Sequence, residues 1–143
     1  MSEPLVIAVP VFSMLANAGF ALRREVFVHE RKVPEEEEFD ADDLTATHLV
    51  AISEGEACGT LRLIRKPEHV KIGRVVVRMD FRGRGIARAM LTTAMEMMRA
   101  EGESRFHLNA QAGKTAFYEK FGFRALGPIF MDGGLPHRAM RNY

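Results

Sequence analysis

With a single cysteine, Cys58, the chain cannot close an internal disulfide, a pattern expected of a reducing, cytoplasmic setting. An excess of one charge sign is also missing: 20 Lys and Arg face 19 Asp and Glu, a formal net charge of +1. A nucleic-acid binder would show a one-sided basic excess, so no such partner is expected. No apolar run approaches the ~18 residues that cross a bilayer, so no membrane partner is expected either. Met1-Ser2-Glu3-Pro4-Leu5 lacks the basic-then-apolar order of a signal peptide. No two histidines stand at ligand spacing, and no catalytic metal is indicated.

What is present is the composition of an ordinary globular protein, 47% hydrophobic and 27% charged. Its length fits one domain over residues 1–143. Leu5 to Val11 is a β-branched run bracketed by prolines, a first strand near an edge. Ser13 can cap a helix reaching about Arg31, with Leu15, Ala18, Leu22 and Val26 along one face, and Pro34 ends it. Glu35 to Asp43 carries seven acidic residues in nine without apolar period, which predicts a loop. Thr47 to Ile52, Ala57 to Ile64 and Lys71 to Val77 read as three antiparallel strands, the first two joined through Ser53-Glu54-Gly55-Glu56.

A helix then places Ile86, Met90, Ala94 and Met97 on one stripe, closed by Gly102. Phe106 to Ala110 is a short strand and Gly113 to Phe121 a short helix. Phe123 to Leu126 and Pro136 to Arg141 are final strands, separated by the Gly127-Pro128 and Gly133-Gly134 breaks. The crossover after Val77 implies a parallel pair in a mostly antiparallel sheet. The class is α+β, because the βα alternation of a doubly wound fold is missing.

One segment concentrates chemistry. Val75-Val76-Val77 leads into Arg82-Gly83-Arg84-Gly85-Ile86-Ala87 and directly into the helix. Strand, glycine turn and helix start aim backbone N–H groups and a helix dipole at one spot, which suits phosphate. The turn lacks the Gly-Lys-Ser/Thr ending of a nucleotide P-loop and the third glycine of the dinucleotide fingerprint. Alone, it reads equally well as a helix start with surface arginines.

A second segment changes the balance. Leu108-Asn109-Ala110-Gln111 and Ala116-Phe117-Tyr118-Glu119-Lys120-Phe121-Gly122-Phe123 follow at the right distance. Together the two segments resemble the two motifs of the GNAT superfamily of N-acetyltransferases. Arg82, Gly85 and Ala87 match the first motif; Phe117, Tyr118, Gly122 and Phe123 match the second. Arg23-x-x-Val26-Phe27-x-x-Glu30, with Gly133-Gly134-Leu135-Pro136-His137-x-x-Met140, is similar to the ElaA/YjcF-type branch of small bacterial GNAT proteins.

The resemblance implies the acyl-CoA N-acyltransferase fold, with two parallel strands splayed apart and helices on the sheet. It implies acetyl-CoA as donor and an amine as acceptor, with direct transfer between them. The pyrophosphate is expected on the amides of Arg82, Gly83, Arg84, Gly85, Ile86 and Ala87. The pantetheine arm is expected to pair with Val75, Val76 and Val77 as a ligand strand, with Gln111 and Phe117 alongside. Gln111 stands where many members carry Asn, and Ile72 to Val77 lacks the carboxylate base some members use. Homodimers are frequent in the superfamily, which leaves both a monomer and a homodimer open here.

Tyr118, with an intrinsic pKa near 10, can protonate a leaving thiolate. His137 suits the base, and a Pro-His-x-x-Met histidine has that role in the similar small-amine and glyphosate-type acetyltransferases. His29, His48 and His107 read as structural, and Cys58 as a small core residue. The acidic segment reads first as a solvated run; if it borders the acceptor site, it would favour a small cationic amine. The alternative class is an acyl-CoA-binding module that senses the cofactor without catalysis, which the same cofactor motifs would serve.

Overall fold

The computed structural model describes residues 3–143. Seven strands form one sheet: β1 (Leu5–Val9), β2 (Thr47–Ser53), β3 (Glu56–Arg65), β4 (Val70–Val77), β5 (Phe106–Gln111), β6 (Arg124–Asp132) and β7 (Leu135–Arg141). Their spatial order is β1-β2-β3-β4-β5-β7-β6. Every adjacent pair is antiparallel except β4 and β5. This is the mixed α+β sheet anticipated from the element order. Among the described residues, no helix is long and apolar enough to cross a membrane.

Helix α1 (Met14–Arg23) starts where Ser13 accepts the Ala16 N–H at 3.1 Å, so the serine cap holds. It crosses one sheet face closely: a Cβ added at Gly19 would lie 3.0 Å from the Thr60 hydroxyl. The predicted helix to Arg31 is α-helical only to Arg23. Residues Arg24–Glu30 continue as a π-helix, with the Arg31 N–H reaching the Val26 carbonyl at 2.9 Å. Such wide turns collect at functional sites.

Helix α3 (Ile86–Ala100) covers the opposite face. Ile86, Met90, Leu91, Ala94, Met95 and Met98 are buried against Leu49, Leu61, Leu63 and Ile72. Met97, expected on that stripe, sits at its partly buried margin. Cys58 belongs to this core, where burial pushes its thiol up.

Two expectations need correction. The acidic run is not a loop: Glu35–Glu38 form helix α2 and Ala41–Leu44 a 3₁₀ turn. The structure of this run comes from buried ion pairs, which carry no apolar period. The Gly127-Pro128 break does not end a strand, because β6 runs through it with a register shift between Leu126 and Phe130. β6 is the outer strand of the sheet, where a bulge and a missing proline N–H are tolerated.

The feature that makes a site is the incomplete parallel pair. β4 and β5 pair only at Val70–Phe106, Lys71–His107 and Ile72–Leu108. On its other side β4 bulges against β3: Gly73 faces Arg62 and Val76 faces Thr60, with Arg74 and Val75 between them. Arg74 has a φ of 54°, the left-handed conformation that lets one strand gain a residue. From Gly73 onward β4 turns away from β5.

Candidate active site

A cavity of about 560 Å³ occupies this divergence. Val75, Val76 and Val77 form one wall; Asn109, Gln111, Phe117 and Tyr118 form another. Phe27, Arg31 and Val33 close it from the first helical segment, and Gly133, Leu135 and His137 from the last hairpin. The hairpin tip meets the helical segment directly, since a Cβ at Gly133 would lie 3.3 Å from a Val33 methyl.

At one end, Gly83, Gly85, Ile86, Ala87 and Arg88 complete the lining. Gly85 caps α3 with φ +80° and offers no side-chain acceptor. The N–H groups of the first helical turn therefore keep no capping partner, and the helix dipole adds to their positive potential. A Cβ at Gly83 or Gly85 would meet nothing within 4 Å, so the turn is open on the side a ligand would approach. Backbone donors, a 15-residue helix behind them and a cavity leading inward fit the diphosphate and pantetheine of a coenzyme A ester.

The arginines divide their work. Arg82 lines the cavity, but its guanidinium is forked onto Glu30. Arg84 turns away, over the Phe81 ring and toward Glu54 at 3.4 Å, and does not line the cavity. Arg88 lines it and has no ion pair among the described residues.

Tyr118 is brought to the cavity wall by helix α4 (Thr115–Glu119). It is 8% exposed, packed between Phe117 and Phe123. Burial pushes its phenol up to about 12 against the opposing charge of Arg31, so the hydroxyl keeps its proton. Among the described residues that hydroxyl has no hydrogen-bond partner.

His137 stands opposite Gln111 across the β5–β7 ladder, and both line the cavity. Its Nδ1 lies 2.8 Å from the Leu135 carbonyl. A carbonyl only accepts, so Nδ1 carries the hydrogen, and in the neutral imidazole the lone pair is then on Nε2. Phe130 stacks beside the ring, with centroids 6.1 Å apart. The fold thus brings a phenol and an imidazole, 19 residues apart in sequence, to one cavity.

Of the other histidines, His29 is exposed on the π-helix, and the remaining three have structural partners. His48 is buried, with Nε2 2.8 Å from the Asp43 carbonyl. His107 stacks on His69 at 4.8 Å, and His69 reaches the Tyr143 hydroxyl at 2.7 Å.

The acidic segment departs from expectation most clearly. Arg23, only 2% exposed, donates to Glu38 at 2.8 Å and to Asp43 at 2.7 Å. Arg62 holds Asp40 and Asp43, and Arg74 holds Glu38 and Asp40. Burial disfavours ionised Asp43, but hydrogen bonds from Arg23 and Arg62 outweigh it and hold the carboxyl down at about 2. Two of the seven acidic side chains, Glu38 and Asp43, are thus buried in ion pairs, while Glu35, Glu36, Glu37, Asp40 and Asp42 stay exposed.

Sequence reasoning passed over several residues on the wall, among them Phe27, Arg31, Lys71, Arg74 and Asn109. The alternation of β5 was available as a signal: Asn109 and Gln111 share a face. The bulge that brings Arg74 inward has no comparable local signature.

Comparison with known proteins agrees with this geometry. Residues 11–143 match the family model of the acetyltransferase (GNAT) domain. The uncharacterized N-acetyltransferase YjcF of Bacillus subtilis is 37% identical over 124 residues, 85% of this chain and 88% of that protein. The crystal structure of an acyl-CoA N-acyltransferase from Pseudomonas aeruginosa superposes with a TM-score of 0.87 at 31% identity, covering 99% of this chain and all of that one. Escherichia coli ElaA superposes with a TM-score of 0.86 at 28% identity, over the full length of both chains. The chain belongs to the GNAT acetyltransferase family, in its ElaA/YjcF-like branch.

Proposed function

We propose that this protein transfers the acetyl group of acetyl-CoA directly to a primary amine. The observation that carries the reading is the cavity where β4 leaves β5, joining an uncapped helix start to Tyr118 and His137. The description of the Pseudomonas relative as an acyl-CoA N-acyltransferase supports the donor class.

In this reading the amides of Gly83 to Ala87 hold the diphosphate, and the edge of β4 from Val75 to Val77 holds the pantetheine arm. His137 Nε2 takes a proton from the attacking amine as its nitrogen bonds to the carbonyl carbon. A β4 N–H near Val77 polarises the carbonyl oxygen. Tyr118 gives its proton to sulfur as the carbon–sulfur bond breaks. The products are an N-acetyl amine and free coenzyme A, and both side chains then exchange protons with solvent.

The test combines calorimetry with acetyl-CoA and a thiol-release assay over a panel of amines. Binding with amine-dependent release of coenzyme A supports the proposal. Binding without turnover on any amine favours a sensing module, and absence of binding removes both readings.

A further inference from the structure

The cavity has a second end, up β4 beyond the splay, that neither the diphosphate site nor the acid–base pair uses. There β3 and β4 present Arg62, Ile64, Lys71 and Gly73 on the face that carries α1. Three guanidinium groups, Arg23, Arg62 and Arg74, pair with three carboxylates, Glu38, Asp40 and Asp43, so this set is balanced. Lys71 stands outside it. Among the described residues it makes no hydrogen bond or ion pair, although it is half-buried on the cavity wall. Burial, then the charges of Lys66, Arg62 and Arg74, push its ammonium down, which an arriving anion would reverse. The one carboxylate whose charge favours this ammonium, Asp132 on the hairpin, is exposed and makes no ion pair with it; Glu37 on α2 is a second exposed carboxylate on the cavity wall.

We infer that the acceptor amine carries a carboxylate, and that this carboxylate pairs with Lys71. The inference rests on the acetyl-transfer reading above. At this end of the cavity one unpaired ammonium matches one negative charge and the neighbouring guanidiniums are already engaged, which favours a carboxylate over a phosphate dianion. Among the described residues, the other cations of the wall without an ion pair are Arg88 at the helix start and Arg31 and Lys114, which lie near Arg82 and Glu30. The nitrogen must meanwhile reach His137. Lys71 pairs with His107 and His137 with Gln111, four residues further along β5 and about 13 Å by strand rise. Nitrogen and carboxylate therefore belong to an elongated molecule, an ω-amino acid or the terminus of a short peptide.

The experiment compares 6-aminohexanoate, its neutral amide and 1,6-diaminohexane as acceptors at saturating acetyl-CoA. The expected kcat/KM for 6-aminohexanoate exceeds that for each of the others by tenfold or more. In Lys71→Glu the diamine should become the best of the three, with acetyl-CoA affinity retained as the check on folding. If that variant does not fold, the wild-type ranking decides by itself. Equal rates for the three amines, or transfer to none of them by protein that binds acetyl-CoA, would overturn the carboxylate pairing. Failure to bind acetyl-CoA would instead remove the reading beneath it.

Discussion

Arg82 ties the glycine turn to the first helical segment through Glu30. Its two terminal nitrogens donate to the two carboxylate oxygens at 2.9 Å each, and its Nε donates to the Val77 carbonyl at 2.9 Å. One guanidinium thus fixes the end of β4, the turn and the π-helix together. Hydrogen bonding from Arg82, against a smaller opposing effect of burial, holds the Glu30 carboxyl below its usual range. Lysine keeps the charge but cannot fork. Arg82→Lys should raise the acetyl-CoA dissociation constant about fivefold to tenfold while moving stability by at most about 1 kcal/mol, as for an exposed pair. Unchanged affinity by calorimetry would show that charge alone matters at this position.

In the proposed mechanism Tyr118→Phe removes only the proton that the thiolate needs. Turnover should fall roughly 10²-fold, with acetyl-CoA affinity within a factor of about two. A turnover number equal to wild type would exclude Tyr118 as the acid.

His137→Ala should also lower turnover by roughly 10²-fold, and added imidazole should restore part of the rate. Rescue distinguishes a missing base from a disturbed hairpin, because a collapsed cavity has no use for free imidazole. Loss of turnover without rescue at any imidazole concentration would leave His137 a structural role.

How much of this was legible in the sequence depended on which force shaped each part. Strands β2, β3 and β4 and helix α3 are set by apolar burial, and hydrophobic spacing located them. The Ser13 cap and the glycine turn are local backbone chemistry, and residue type was enough. Arg23 was matched as part of a motif, but its role was invisible: a charged side chain at 2% exposure has no periodic signature, and its partners lie 15 and 20 residues away. The same blindness hid Glu38 and Asp43 within an acidic run whose other carboxylates are exposed. Gly127-Pro128 misled in the opposite sense, because local breaker chemistry is overruled at an outer strand. Tyr118 and His137 could be named from sequence, but Lys71 could not. Its place beside the cavity follows from strand alternation, since its neighbours Val70 and Ile72 are buried in the α3 core and Lys71 faces the other side of the sheet.

The buried ion network predicts an acid-sensitive fold. Asp43 has a folded-state pKa of about 2 against an ordinary value of 3.8. Its contribution, about 2 kcal/mol, is complete above pH ~4 and is lost as pH falls toward 2. Glu38 opposes it, because burial outweighs Arg23 and Arg74 and raises its carboxyl, so the folded state takes that proton more readily. Asp43→Asn should flatten the loss of stability between pH 4 and 2. At neutral pH it should cost roughly 3–5 kcal/mol, since two guanidiniums lose a buried partner. Denaturant titrations at pH 7, 4 and 3 measure both effects, and an unchanged slope in the acid range would exclude Asp43 as its source.

Gly85→Ala separates backbone conformation from space. At φ +80° an L side chain is strained by about 1–2 kcal/mol, although a Cβ there would touch nothing within 4 Å. Gly55, in the β2–β3 turn outside the cavity, has φ +76° and equal room, so Gly55→Ala carries the same strain far from the diphosphate site. Both variants should lose similar stability in denaturant. Only Gly85→Ala should also weaken acetyl-CoA binding, by roughly tenfold, because relieving its strain turns the amides of the helix start away from the ligand. Equal acetyl-CoA affinity in the two variants would mean that the diphosphate does not rest on this turn.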